Sequence, residues 1–480
     1  MRIGTLTIAL TCLLAGNATA QKKWNLRSIV DYAMVNNINV KLSDIQARNA
    51  ALTYKQSKLA QYPTVSFSGN TGVNSGSNQD PTNFSRITQT YLSSGFQLQT
   101  SAEIFNFYSK KNTITANSWE SEASRANTDK IKNDIALTAA NAYLQILLSI
   151  EQQKITEVKI QQTQAQLINT LKLVKAGSLP ELNATQLEAQ LSLDSVNYIS
   201  AKGAVVQNIL TLKSYMNIDA AADFEIDTPP VESIPVEPIA ELLPETVFAL
   251  ALRNQPLQHY DDLKLRAAAK FRDAAKGYLY PTFSLYGSLG SNYIAANSPN
   301  YIPVVNGFQP SGSVVTVAGV PYQVYAPNVS LKKSGTRRSD AFGNQLSNNF
   351  RQSAGISVSV PIFNGGTLKT NYEKSKLNIN SLELQKMQDD QKLKQDIFSA
   401  YTSALIALEK FNASAKTVAL NEKTYNFAQK RFDVGILGTF DLITSQNNLF
   451  RSRLEYSLNR FDYIFKIKVL EFYKGLGLKL

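Results

Sequence analysis

The sequence is written twice in one order: helix, Tyr-Pro, strand, strand, Ile-Phe-Asn, long helix, glycine tip, long helix. Tyr62-Pro63 recurs as Tyr280-Pro281, an offset of 218 at which residues 27–64 lie gap-free against 245–282. Ile104-Phe105-Asn106 recurs as Ile362-Phe363-Asn364, an offset of 258 that holds through Gly177/Gly435 to Tyr215/Tyr473. The two offsets differ by 40 residues, so a single insertion between the two strands of the second copy accounts for the change. Long gap-free matches broken only between strands mark a duplicated structural unit. The expected organisation is a first repeat over 21–218, a linker over 219–244 and a second repeat over 245–480. The five prolines of the linker preclude a continuous helix there.

Within each repeat the periodicity changes from helical to alternating and back. Helices are expected at 27–61, 109–175 and 181–215, and again at 245–279, 368–434 and 440–473. Residues 109–175 and 368–434 contain no proline or glycine, so each helix can extend roughly 100 Å at about 1.5 Å per residue. A lone helix of that length cannot hide an apolar stripe and needs partner helices along it. Strands are expected at 64–73, 95–104, 282–293 and 353–363. There Val65 and Phe67 alternate with Ser66 and Ser68, and Ile356, Val358 and Val360 with Ser357 and Ser359. About ten residues per strand suits a tilted membrane crossing. The insertion, about 290–351, is rich in Asn, Ser, Gly and Pro, has Lys332, Lys333, Arg337 and Arg338 near its end, and is expected to be an exposed loop.

The first residues read as a secretory signal peptide over 1–20: Arg2, an apolar run from Ile3 to Leu14, then Ala18-Thr19-Ala20 before Gln21. The run is too short for a membrane span. A lipoprotein reading would make Cys12, the only cysteine, the acylated residue, and Thr11 is a poor residue to precede it. A mean hydropathy of −0.19, with no second long apolar run, leaves no expected transmembrane helix. It leaves room for a β-barrel, whose membrane signal is diluted by alternation. The net charge of +12 is scattered along the helices, which reads as solvated faces and not as nucleic-acid binding. No enzyme, metal site or cofactor is expected: His259 is the single histidine and sits on a predicted helix, and the glycines near Gly287 and Gly365 match no phosphate loop.

In their order, these motifs resemble the TolC-like outer-membrane efflux proteins, the exit ducts of tripartite pumps and type I secretion systems. The resemblance rests on the paired helix-Tyr-Pro-strand segments, on Ser357-Val358-Ser359-Val360-Pro361-Ile362-Phe363-Asn364-Gly365-Gly366, and on Arg431-Phe432-Asp433-Val434-Gly435 followed by Asp441-Leu442-Ile443. It implies a mainly α chain with a membrane β-barrel. Three copies would share a twelve-stranded barrel in the outer membrane, continued by a twelve-helix tunnel in the periplasm, with the linker in a belt around the tunnel's waist. It implies outer-membrane lipid, a periplasmic adaptor and an inner-membrane pump as partners. Family members narrow the entrance near the second helical tip with acidic rings and tyrosine or arginine contacts. Here Asp441 falls on the first acidic position and Thr444 on the second, while Phe432 stands for the tyrosine and Leu437 for the arginine. Asn183 and Gln186 occupy the corresponding places of the first copy. A helix cap is the alternative reading of Asp441, as of Asn183, and packing that of Phe432.

The expected function is a passive export duct. The alternative is a structural or adhesive cell-surface protein that uses its helices as a stalk, and a general porin would need no such helical hairpins. The tips, Gly177, Ser178 and Leu179 in one copy and Val434, Gly435, Ile436 and Leu437 in the other, are the expected adaptor-docking surface. Leu179, Val434, Ile436 and Leu437 are expected to be exposed there.

Overall fold

The computed structural model describes residues 23–79, 86–229 and 234–475; the expected leader lies outside them. The first copy comprises helices α1 (Leu26–Asn36) and α2 (Ile38–Leu59), strands β1 (Thr64–Gln79) and β2 (Arg86–Phe105), and helices α3 (Ser109–Lys175) and α4 (Glu181–Met216). The second comprises α5 (Pro244–Asn254), α6 (Pro256–Gly277), β3 (Thr282–Ala295), β4 (Asn297–Val317), β5 (Val320–Arg338), α7 (Phe342–Asn348), β6 (Arg351–Ser359), α8 (Thr367–Asp433) and α9 (Thr439–Tyr473). Two compact units result, and the one formed by Gln56–Thr113 and Asp273–Tyr372 holds these six strands.

In that unit β1, β2, β3 and β6 form an antiparallel sheet in that order. The register is what gives the alternation its meaning. Phe67 pairs with Leu98, Leu98 with Leu289, and Leu285 with Ile356, so the apolar phases of all four strands fall on one face. Ser66, Gln99, Ser288 and Ser353 form the matching row on the other face. The apolar row is open: Val65, Phe67, Leu285, Ile356 and Val358 are all exposed. Aromatic rings gather at both ends of the sheet. Phe107 stacks on Tyr280 at 4.8 Å beside Phe105, and Phe342 packs against Tyr293 at 5.0 Å.

The strand ends differ from expectation. β1 and β2 run on through Asn74–Gln79 and back to Arg86, where small polar residues on both faces carry no alternation to read. β6 stops at Ser359 because Pro361 cannot donate to a ladder, and Ile362 and Phe363 stand outside it. The insertion is not a loop. Residues 297–338 form a second, two-stranded sheet whose strands pair from Asn297/Arg338 to Val317/Val320, and α7 follows it. Its prolines and glycines, the signals of a loop, sit at bulges, strand edges and the turn.

In the helical unit, two expected helices are each broken once, at equivalent places. α1 and α2 part at Asn37 (ψ 138°), and α5 and α6 part at Gln255 (ψ 130°). Pro256 disfavours the helical conformation in the residue before it. Asn37 Oδ1 accepts from Asn39 N–H at 2.8 Å and so caps the second segment. Both amides then reach the end of a long helix: Asn37 Nδ2 donates to Tyr215 O at 2.8 Å, and Gln255 Nε2 to Tyr473 O at 3.2 Å. The cores repeat as well. Ile29, Ala33, Ala139 and Leu212 are buried together in one cluster, and Val247, Ala251, Ile397 and Leu470 in the other. The linker is tied to both copies. Trp24 N–H donates to Glu225 O, Asp227 N–H to Trp24 O, and Tyr143 Oη to Asp227 O, all within 2.9 Å. Further along, Glu237 N–H donates to Glu471 Oε1 at 2.9 Å. Pro244, expected as the linker's last residue, is instead the first of α5, where its missing N–H costs nothing.

Candidate functional site: the paired helical tips

Both long hairpins turn by the same chemistry. Gly177 and Gly435 take φ of 71° and 77°, a left-handed conformation that costs glycine nothing. Gly177 N–H donates to Val174 O and Ser178 N–H to Leu173 O, while Gly435 N–H donates to Phe432 O and Ile436 N–H to Arg431 O, each at 2.9 Å. This pair of bonds closes the carbonyl end of each helix. Lys172 and Lys175 lie in the last turn of α3, and Lys430 and Arg431 in that of α8. Glu181 and Asp441 lie in the first turns of α4 and α9. Each sign opposes the adjacent helix dipole.

The two tips meet. Ala428, Phe432 and Leu442 form a buried cluster, and Leu179 and Leu437 pack against it together with Tyr425. Leu179 and Leu437 are therefore half-buried, contrary to the expectation that they stand exposed, because both pack against that cluster. The most exposed large apolar residues beyond the ends of α3 and α8, through the first turns of α4 and α9, are Val434, Ile436, Phe440 and Leu182. Leu182 and Phe440 are equivalent at the 258 offset, and sequence reasoning missed both because it stopped at the turns. Above the cluster, Gln166 Nε2 donates to Tyr425 Oη at 2.9 Å and to Gln429 Oε1 at 3.2 Å, joining α3 to α8. Burial pushes the Tyr425 hydroxyl above its usual range.

The expected entrance residues are spread around this cluster. Asp441 is exposed and is not a cap: the N-cap of α9 is Gly438, with no side-chain bond, and Asp441 follows three residues later. Asn183 likewise follows the N-cap Pro180 of α4. Thr444 donates its hydroxyl to Phe440 O at 2.8 Å within its own helix. Phe432 lies in the cluster, and Asn183 and Gln186 are half-buried. Among the described residues no hydrogen bond or ion pair joins Asp441, Thr444, Asn183 and Gln186 to one another.

A buried charge lies further along the same helices. Asp194 of α4 is fully enclosed, with Lys159 Nζ of α3 at 2.6 Å. It also accepts from Thr163 Oγ1 and Gln190 Nε2, both at 2.7 Å. Asn447 of α9 donates to Gln190 Oε1 at 3.3 Å, and Lys159 Nζ lies 4.5 Å from the Phe450 ring centre. A cavity of about 170 Å³ adjoins the pair, lined by Gln446, Phe450 and Arg453. On α6, Asp261 is pushed up to about 6, first by burial and then by Asp389 and Asp390 of α8. His259 is exposed, and among the described residues no three His, Cys, Asp or Glu are placed to hold a metal.

Comparison with known proteins gives one answer at every level. The antibiotic efflux pump outer membrane protein ArpC and the toluene efflux pump outer membrane protein TtgC, both of Pseudomonas putida, are 22% identical over 482 residues. That match spans 96% of this chain and 86% of theirs. Among solved structures, the outer membrane protein VceC of Vibrio cholerae superposes with a TM-score of 0.72 at 13% identity, over 95% of this chain and 97% of that one. CusC superposes with a TM-score of 0.73 at 15% identity, over 94% and 92%. At such identities the likeness is one of fold. The family of outer membrane efflux proteins matches residues 29–217 and 249–464, one stretch in each repeat, and the chain belongs to that family.

Proposed function

We propose that the chain is the outer-membrane exit duct of a tripartite efflux or type I secretion system. Three copies would line a passive hydrated path, and an inner-membrane pump would supply the free energy. The observation that carries this reading is the sheet: an exposed apolar face, a polar opposite face, and outer strands β1 and β6 that each pair with a single strand among the described residues. A sheet edge in lipid leaves backbone groups unsatisfied, so the sheet must close with other copies. Four strands per chain are too few to close alone, and three chains give twelve. The polar row then faces the lumen and the apolar row the lipid. The helices continue the path through the periplasm, and in the trimer three Asp441 carboxylates ring its entrance. An enzymatic activity forms no part of this reading.

Val434, Ile436, Phe440 and Leu182, apolar and uncovered at the tips, are the surface offered to a periplasmic adaptor. Ile436→Glu combined with Val434→Glu should leave the protein folded and inserted, and should reduce export and adaptor cross-linking at least tenfold. Leu437→Glu buries a charge in the tip cluster and should destabilise the protein instead. Full export by the Val434/Ile436 double variant would overturn the docking surface.

A further inference from the structure

The β4–β5 hairpin is the part of the molecule that the duct reading leaves unused. Its turn is tight, with Ala318 and Gly319 at φ of 51° and 86°, and its ladder is long. A two-stranded ribbon alone in water is at best marginally stable, yet most of this one is exposed on both faces. The register sorts its side chains. Val305 pairs with Val329, and Phe308 with Pro327. Pro310 pairs with Tyr325, and Pro303 with Leu331. All eight stand on one face, and Phe308 is 73% exposed.

Two features decide what can cover that face. Pro303, Pro310, Pro321 and Pro327 share one pairing phase. Because proline cannot donate to a ladder, each stands where its nitrogen points away from the partner strand. Both outer edges are thereby blunted against strand addition, so a partner must meet the face. Secondly, no charged residue occurs between Lys276 and Lys332. A lipid surface carries phosphate, and a face built to meet it should carry cations along its length. Here Lys332, Lys333 and Arg338 stand at the base of the hairpin. Turned toward the three-fold axis, the same uncharged apolar face of three copies converges without like-charge repulsion. Closure of the sheet holds those copies at short range, where a weak contact is favoured by effective concentration.

We propose that the hairpins of neighbouring copies pack against one another through the Val305/Phe308/Val329 face and form an uncharged apolar collar at the outer mouth. The proposal rests on the trimeric duct reading. Its test uses the full chain with Cys12→Ser, so that an introduced cysteine is the only thiol. Val305→Cys and Val304→Cys place the thiol on opposite faces at adjacent positions. After mild oxidation of cells, Val305→Cys should run mostly as disulfide-linked pairs of chains on a non-reducing gel, and Val304→Cys as single chains. Light scattering of each purified variant in detergent reports the mass. A three-chain mass with no Val305→Cys pairing, or with equal pairing at Val304→Cys, overturns the collar and leaves the duct standing. Protection of Val305→Cys by any other protein or by lipid overturns it as well. A single-chain mass overturns the duct reading itself.

Discussion

Asp194 is a charge whose burial makes the fold sensitive to its loss. It is fully enclosed, and its stability depends on Lys159, Thr163 and Gln190 together. Asp194→Ala would leave Lys159 buried and unpaired, at a cost of about 3–5 kcal/mol, whereas replacing both ions with apolar residues of similar size is often near neutral. Asp194→Ala should therefore lower the thermal denaturation midpoint markedly, and Lys159→Met with Asp194→Leu should recover most of it. Recovery by neither partner would show that the ion pair is not what holds these helices. The sequence offers no sign of this residue, since an Asp in a long helix reads as solvated until the packing of α3 and α9 is known. A second residue-scale lesson lies just after β2. Phe107 and Tyr108 take positive φ of 46° and 63°, where the second copy has Gly365 and Gly366 at 64° and 76°. Two aromatic residues hold a conformation that suits glycine, and the stacking of Phe107 on Tyr280 offsets the strain.

At the scale of elements, what was legible followed from periodicity, and what was not followed from partners distant in sequence. The alternation of β1, β2, β3 and β6 can be read residue by residue, but only the register shows that the four apolar phases fall on one face. That coherence carries a sharp expectation. Ile356→Arg puts a charge on the apolar face and should cost about 2–4 kcal/mol if that face meets the middle of a membrane. Ser357→Arg, one residue along and on the polar face, should fold and insert nearly as well as the parent. Equal damage from both, measured as the fraction of folded protein in the outer membrane, would argue against a lipid-facing row. The β4–β5 hairpin was hidden because its Pro and Gly content signals loop, while its pairing runs between residues up to 41 apart, from Asn297 to Arg338. The break at Gln255 was written in Pro256. The break at Asn37 was not, because it depends on a side-chain amide that finds Tyr215 O far along the chain. At the tips, the turns could be read from Gly177 and Gly435. Which leucines face inward could not, since Leu179 and Leu437 are covered by packing against Ala428, Phe432 and Leu442.

At the scale of the molecule, the duplication decides most of the outcome. Each repeat supplies a long α-hairpin and strands of the shared sheet, so one chain presents two similar staves and three chains present six. In the proposed duct the open edges at β1 and β6 would lie in lipid, and assembly would then be a requirement of the fold and not an addition to it. The central claim is that the assembly encloses a continuous hydrated path. Purified protein should therefore give discrete, ohmic single-channel steps in a planar lipid bilayer, and Asp441→Asn should weaken cation preference by removing charge from the entrance. Trimeric, correctly inserted protein that produces no steps under any applied voltage would contradict the account and favour a stalk.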